Sequence, residues 1–388
     1  MSGWKRTTAG IVSICLLMVF VSCAWAEPLE TGTPMTLTAP SAILIEADTG
    51  TAIFEKNADE RRPAASITKL MTLLIVLEKI DGGAVSLDDK ITVSTAAANQ
   101  PGSQAFLDAH AVYPLKDLLK ATIIASANDA AAALAEYVAG TEESFVTLMN
   151  AKAEELGLEN TRYVNCTGLP AEGQYTCARD VAAISREIVK HPDYFTFSST
   201  WLDQLKHPSG RVTDLTNTNR LVRFYKDCDG LKTGSTSEAK YCLSATAKRN
   251  GMRLIAVVLG VPNSQTRFDE ARSMMDYGFS SYQLTTVAQE GDWIGAQVPV
   301  AMGAKDQVDA ALGDGLTLLL RSGQQNQLSF ETNLLESVAA PVKKGDPLGN
   351  VYVLLAGKRI AELPAVAAQD VRLPGLLEGF LRLWDNWR

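Results

Sequence analysis

Three short groups of residues carry side chains suited to nucleophilic chemistry: Ser66-Ile67-Thr68-Lys69, Ser126-Ala127-Asn128 and Lys232-Thr233-Gly234. On a helix, residues three apart lie on one face a turn apart, so an amine at Lys69 reaches the hydroxyl of Ser66. A serine attacks an acyl carbon when a base takes its proton. A lysine serves as that base when burial, or a nearby cation such as Lys232, depresses its ammonium. Ser126 can relay a proton to a leaving amine, and Asn128 can hold a peptide group. The backbone N–H groups of Ser66 and Ser235 are the natural donors for the charge that develops on the carbonyl oxygen. Gly234 leaves a strand edge open for an extended chain. Each group also has an ordinary reading: Ser66 as a helix cap, Ser126 and Asn128 as turn residues, Lys232 as a solvated strand cation, Gly234 as a turn glycine. A single Ser-x-x-Lys is weak, but three groups in this order, each in the local structure its role needs, are not explained by coincidence.

The elements around these groups read clearly. Ser41 to Ala47 and Ala52 to Glu55 flank Asp48-Thr49-Gly50-Thr51 as a hairpin, and after Pro63 the residues Ile67, Leu70, Met71, Leu74 and Leu77 fall at helical spacing. Residues 115–155 follow a helical rhythm broken at Ser126-Ala127-Asn128 and at Gly140. Strand signals return at 230–234, 241–247 and 253–261, the last two joined through Asn250-Gly251, a hairpin dipeptide. A final helix over 266–277 is expected to end at Gly278. Strands at both ends with helices between predict an α+β domain, an antiparallel sheet covered by helices. Residues 284–370, with short alternating runs at 316–320, 328–331 and 350–355, predict a small β-rich second domain.

A chain of 388 residues, 46% hydrophobic and 21% charged, suits two globular units. Its net charge of −8 offers no field to gather nucleic acid. The histidines His110, His191 and His207 are scattered, which disfavours a Ser-His-Asp triad or a histidine-rich metal site; no metal or cofactor is expected. Lys5 and Arg6, an apolar run from Ile11 to Val21 and Ala24-Trp25-Ala26 predict a cleaved export signal over 1–26, followed by a linker over 27–37. An uncleaved anchor helix is the alternative, and Phe20 disfavours a lipoprotein at Cys23. Of the remaining Cys166, Cys177, Cys228 and Cys242, the last two are expected to face each other across a hairpin centred near Ser235, as a disulfide bracing the strand. Residues 371–388 form an amphipathic pattern: Leu373, Leu376, Leu377, Phe380, Leu381, Leu383, Trp384 and Trp387 cover one side. That side predicts in-plane association with a membrane surface.

Over nearly its whole length the sequence resembles the low-molecular-weight penicillin-binding proteins, the serine-type D-Ala-D-Ala carboxypeptidases. Besides the three groups, the resemblance rests on Glu142-Glu143-Ser144-Phe145, Leu156-Gly157-Leu158, Ala178-Arg179-Asp180, Asp229-Gly230-Leu231 and Ala340-Pro341-Val342-Lys343-Lys344-Gly345-Asp346. It implies a penicillin-binding/β-lactamase-like transpeptidase domain over 38–283, an all-β domain over 284–370 and a membrane-associating helix over 371–388. It further implies that Ser66 is acylated by peptidoglycan stem peptides ending in D-Ala-D-Ala and by β-lactam antibiotics, and that Arg267 helps Thr233 bind the terminal carboxylate. The expected location is the outer face of the cytoplasmic membrane. A class A-like β-lactamase would deacylate through a Glu followed four residues later by Asn, and no Glu between Asn128 and Lys232 has that partner. A catalytically silent, peptidoglycan-binding scaffold would have no need of intact Ser66, Lys69, Ser126, Asn128 and Lys232.

Overall fold

The computed structural model describes residues 35–379, so the expected signal over 1–26, most of the expected linker, and residues 380–388, where the sequence predicts the end of an amphipathic helix, lie outside the described residues. The main sheet has five strands, β1 (Ser41–Glu46), β2 (Ala52–Lys56), β3 (Cys228–Thr236), β4 (Lys240–Arg249) and β5 (Met252–Val261). They are ordered β2-β1-β5-β4-β3 with every pairing antiparallel. Strands from the two ends of this domain meet in one sheet, so the helical segment between them packs across it.

Side-chain alternation along the central strands feeds two cores. Ile255, Val257 and Leu259 of β5 join Ile43 and Ile45 of β1 on one face. Leu254, Ala256 and Val258 join Ala42 and Leu44 on the other. The first face is covered by α1 (Lys69–Asp81), α2 (Leu115–Ile124), α3 (Asn128–Ala139), α4 (Glu142–Glu155) and α5 (Ala178–Ile188). The second is covered by α6 (Ser264–Ser281), through Phe268, Ala271, Met274 and Met275. The Asn250-Gly251 turn between β4 and β5 has positive φ at both residues, 50° and 85°, as a type I′ turn requires.

Three expectations change here. Helix α6 starts at Ser264, capped by the Asn263 side chain on Thr266 N at 2.9 Å, and runs through Gly278 to Ser281. Gly278 does not stop the helix; it lets the helix lie close on the sheet, since a Cβ there would stand 2.5 Å from Leu254 Cδ1. The β3–β4 hairpin turns at residues 237–239, not near Ser235. Consequently Cys228 stands opposite Ala247 and Cys242 opposite Gly234. The expected disulfide is absent: Cys166, Cys177, Cys228 and Cys242 are all free thiols.

Beyond α6, Tyr282–Ala288 pairs with Leu316–Arg321, and six further strands form a second sheet. In that sheet Leu328–Leu334 and Val338–Ala339 are the edges. Its core of Val298, Val300, Val308, Val342, Leu348 and Ala367 extends to Val371, which bridges to Val342. The packing of this β domain therefore includes the first residue of the segment expected to be the terminal helix. From Leu376 to Gly379 the chain is helical, and Leu373, Leu376 and Leu377 are exposed.

Candidate active site

Ser66 lies in a 3₁₀ turn, Ala65–Thr68, that leads directly into α1. Ala65 takes a positive φ of 47°, an unusual conformation for a residue with a Cβ, immediately before Ser66. No side-chain capping bond is made at the start of either helical piece, so Ser66 is not a cap. Its Oγ instead stands 3.0 Å from Lys69 Nζ.

Lys69 is buried, and burial, the dominant cause, lowers its pKa to about 7; the fields of Cys166 and Asp129 oppose this shift. Its other partner is the carbonyl of Thr167 at 2.7 Å. That carbonyl is held by a local turn: Asn165 Oδ1 accepts from Thr167 N at 3.2 Å and from Gly168 N at 2.7 Å. Cys166 N donates to Glu142 Oε1 at 3.0 Å, and Thr72 Oγ1 donates to the Cys166 carbonyl at 2.7 Å. Gly168, at φ +85°, presses on the nucleophile turn so closely that a Cβ would fall 1.8 Å from the Ala65 carbonyl oxygen.

The second amine sits opposite. Lys232, buried in edge strand β3, donates to Ser126 Oγ at 2.7 Å and to the Thr233 carbonyl at 3.1 Å. Its pKa is pushed well below the ordinary lysine value, first by burial and then by the charges of Lys69 and Arg267. Burial rather than the charge of Lys232 is what depresses Lys69, while the charge of Lys69 adds to the burial that depresses Lys232.

Ser126 occupies the break between α2 and α3 with φ +62°. Asn128 begins α3, and its Nδ2 donates to the Pro101 carbonyl at 2.5 Å, which fixes the amide's orientation. Its Oδ1 is then buried with no partner among the described residues, an acceptor left for a ligand's N–H. The neighbouring Asp129 carboxylate accepts from Ala105 N and Leu107 N, both at 3.0 Å, and so ties down the loop carrying Pro101.

Gly234 has a further reason for lacking a side chain. A Cβ there would lie 2.9 Å from the Ala64 carbonyl oxygen and 3.1 Å from Ile67 N, so the glycine lets β3 pack against the nucleophile turn. Thr233 is buried beside it, and Ser235 is exposed. Arg267, on the first turn of α6, is buried; its Nη1 donates to the Gly234 carbonyl at 3.2 Å and its Nη2 to Ser264 Oγ at 3.2 Å. Burial lowers its pKa to about 10. All the site residues read from the sequence thus converge on one end of β3 and the starts of α1, α3 and α6.

Sequence reasoning missed the Asn165–Gly168 turn, Asp129 and the strained Ala65. An Asn-x-Thr-Gly string and an Asp directly after Asn128 were the available signals.

The profile of the D-alanyl-D-alanine carboxypeptidase family matches residues 28–263. The chain belongs to the D-alanyl-D-alanine carboxypeptidase family. The profile of the penicillin-binding protein 5 C-terminal domain matches residues 282–372. Among this family's members, the D-alanyl-D-alanine carboxypeptidase DacF of Bacillus subtilis is 37% identical over 385 residues, 99% of each chain. The D-alanyl-D-alanine carboxypeptidase DacC of Escherichia coli is 33% identical, covering 95% of this chain and 92% of its own. The crystal structure of penicillin binding protein 5 from Haemophilus influenzae superposes with a TM-score of 0.77 at 30% identity, over 88% of this chain and 99% of that one. These carboxypeptidase likenesses favour neither the β-lactamase nor the silent scaffold.

Proposed function

We propose that this protein is a serine-type D-alanyl-D-alanine carboxypeptidase that removes the terminal D-Ala from peptidoglycan stem peptides through an acyl-enzyme on Ser66. The observation that carries the reading is the Ser66 hydroxyl standing 3.0 Å from a buried lysine amine whose pKa is near 7, a base half-neutral under physiological conditions. Ser66 Oγ attacks the carbonyl of the penultimate D-Ala, and its proton passes to Lys69 Nζ. The oxyanion takes hydrogen bonds from the backbone N–H groups of Ser66 and Ser235. Collapse breaks the C–N bond as Ser126, hydrogen-bonded to Lys232, delivers a proton to the leaving amine and takes one in its place from the Lys69 ammonium, which returns to the neutral amine. Water, deprotonated by that amine, then attacks the ester, and the proton passes back to Ser66 Oγ as the acyl C–O bond breaks.

The stem peptide lies along the free edge of β3, with its amide N–H on the unpartnered Oδ1 of Asn128 and Gly234 leaving the edge unobstructed. Thr233 and Arg267 receive its terminal carboxylate. β-Lactams acylate Ser66 by the same attack. The enzyme works after export, held peripherally at the outer face of the cytoplasmic membrane by residues 371–388. Among the described residues no helix is long and apolar enough to cross a membrane, which suits an in-plane contact. Incubation with a synthetic peptide ending in D-Ala-D-Ala tests the reading: stoichiometric release of free D-Ala is expected, and a folded protein that releases none overturns it.

A further inference from the structure

Beside the catalytic groove, at the start of β3, the surface changes character. Residues 218–224 connect to both walls of the groove: Thr218 N donates to the Ile124 carbonyl, two residues before Ser126, and Asn219 Nδ2 donates to the Gly230 carbonyl, two residues before Lys232. Between this segment and the first turns of α6 is a cleft of about 170 Å³ lined by Arg220, Phe224 and Arg272. The carboxylate in it, Asp269, is engaged by the Gln265 side chain at 2.9 Å.

In a chain of net charge −8, five other arginines of the catalytic domain are neutralised: Arg62, Arg179, Arg211, Arg249 and Arg253 each hold a carboxylate. Arg220, Arg223 and Arg272 hold none among the described residues. Arg272 donates to the Phe224 carbonyl at 2.8 Å. Arg223 stacks over Trp201 and Phe224, 5.4 and 5.3 Å from the ring centroids. The two rings meet edge to face at 6.1 Å, and Phe224 is 61% exposed. The exposed Phe224 ring, backed by the half-buried Trp201 and bordered by three guanidinium groups that hold no carboxylate, matches a ligand with both apolar ring faces and carboxylates.

We propose that this aromatic–arginine cleft is an exosite for a carboxylate-bearing stretch of wall glycopeptide beyond the scissile dipeptide. A sugar face rests on the exposed ring of Phe224, and stem-peptide carboxylates meet Arg223 and Arg272. The inference rests on the carboxypeptidase reading above. It explains why the arginines face solvent unpaired where the chain is otherwise acidic: charge complementarity selects the anionic polymer, and contact beside the groove raises the local concentration of scissile ends.

The test compares the wild type with R223Q/R272Q and with F224S. Arg220 is kept, because its charge also acts on Arg267. Each is assayed on a short N-acylated peptide ending in D-Ala-D-Ala with no second carboxylate, and on solubilised wall glycan strands carrying the same stem. On the strands, kcat/KM falls about tenfold through KM, and the wild type's preference for strands shrinks as salt is raised. On the short peptide the variants stay within about twofold. Unchanged kinetics on the strands, or an equal loss on both substrates, overturns the exosite. Co-sedimentation of S66A with insoluble wall polymer, against S66A/R223Q/R272Q, judges the cleft without turnover, and equal sedimentation overturns it. A wild type that releases no D-Ala from the short peptide refutes the carboxypeptidase reading and leaves that binding comparison standing.

Discussion

At the scale of single residues, the chemistry depends on two buried amines whose ammonium forms burial disfavours. Ser66→Ala removes the hydroxyl that Lys69 contacts, and it is expected to abolish covalent labelling by penicillin; a folded variant that still labels refutes the assignment. Lys69→Ala is expected to lower acylation by about 10²- to 10⁴-fold, the range of a lost general base. Because Lys69 is a base only when neutral, and its pKa lies at about 7, kcat/KM should rise with pH through an inflection near 7 and fall away below it. A pH–rate profile with no limb between about 6 and 8 contradicts this. Asn165 acts through another group: it shapes the turn that presents the Thr167 carbonyl to Lys69. A carbonyl acceptor stabilises an ammonium more than an amine, so Asn165→Ala should lower kcat by about tenfold or more and move the limb to lower pH. A uniform loss at every pH indicates general loosening instead. The nucleophile, base, relay and anchor residues were legible because their types stand at fixed spacings. The Thr167 carbonyl was not, since a backbone group carries no signature of its own and is brought to Lys69 from 98 residues away.

At the scale of elements, the site is where a strand edge, a strained turn and two helix starts press together, and glycines set how closely they approach. Gly234 sits within contact of the Ala64 carbonyl and Ile67 N, so Gly234→Ala forces β3 away from the turn that carries Ser66. Its neighbour there is backbone, which cannot rotate aside. The expected result is a loss of penicillin acylation rate of about a hundredfold with a lowered Tm, read by stopped-flow and thermal melts; a variant with wild-type acylation shows that the strand and turn need no close approach. Element existence was readable from periodicity, and Asn250-Gly251 gave its turn outright. What periodicity could not supply was register. Placing the β3–β4 turn near Ser235 rather than at 237–239 slid the facing pairs, and with them the pairing assumed for Cys228 and Cys242. Gly278 was misread for a related reason: a glycine that ends a helix and one that lets a helix touch a sheet look the same along the chain, and only the position of Leu254 separates them.

At the scale of the whole molecule, the β domain lies along the chain between the catalytic domain and the proposed membrane contact. The boundary of that contact is set by packing. Val371 is buried in the core of the β domain and bridges Val342, whereas Leu373, Leu376 and Leu377 are 53%, 99% and 75% exposed. Three leucines left in water on one short stretch gain about 25 cal/mol for each Å² they bury in lipid, a drive that no packing partner in the described residues supplies. Removing everything after Asp370 would also take Val371 from its core and confuse lost anchoring with a damaged domain. Truncation after Arg372 separates the two. It leaves the core intact and removes the exposed pairing of Arg372 with Glu378, which contributes little. The truncated protein is expected to keep its Tm and its rate on a soluble D-Ala-D-Ala peptide, while its partitioning to anionic phospholipid vesicles falls to a small fraction of the full-length chain's. Sedimentation with vesicles equal to that of the full-length chain means that residues 373–388 do not hold the enzyme at the membrane.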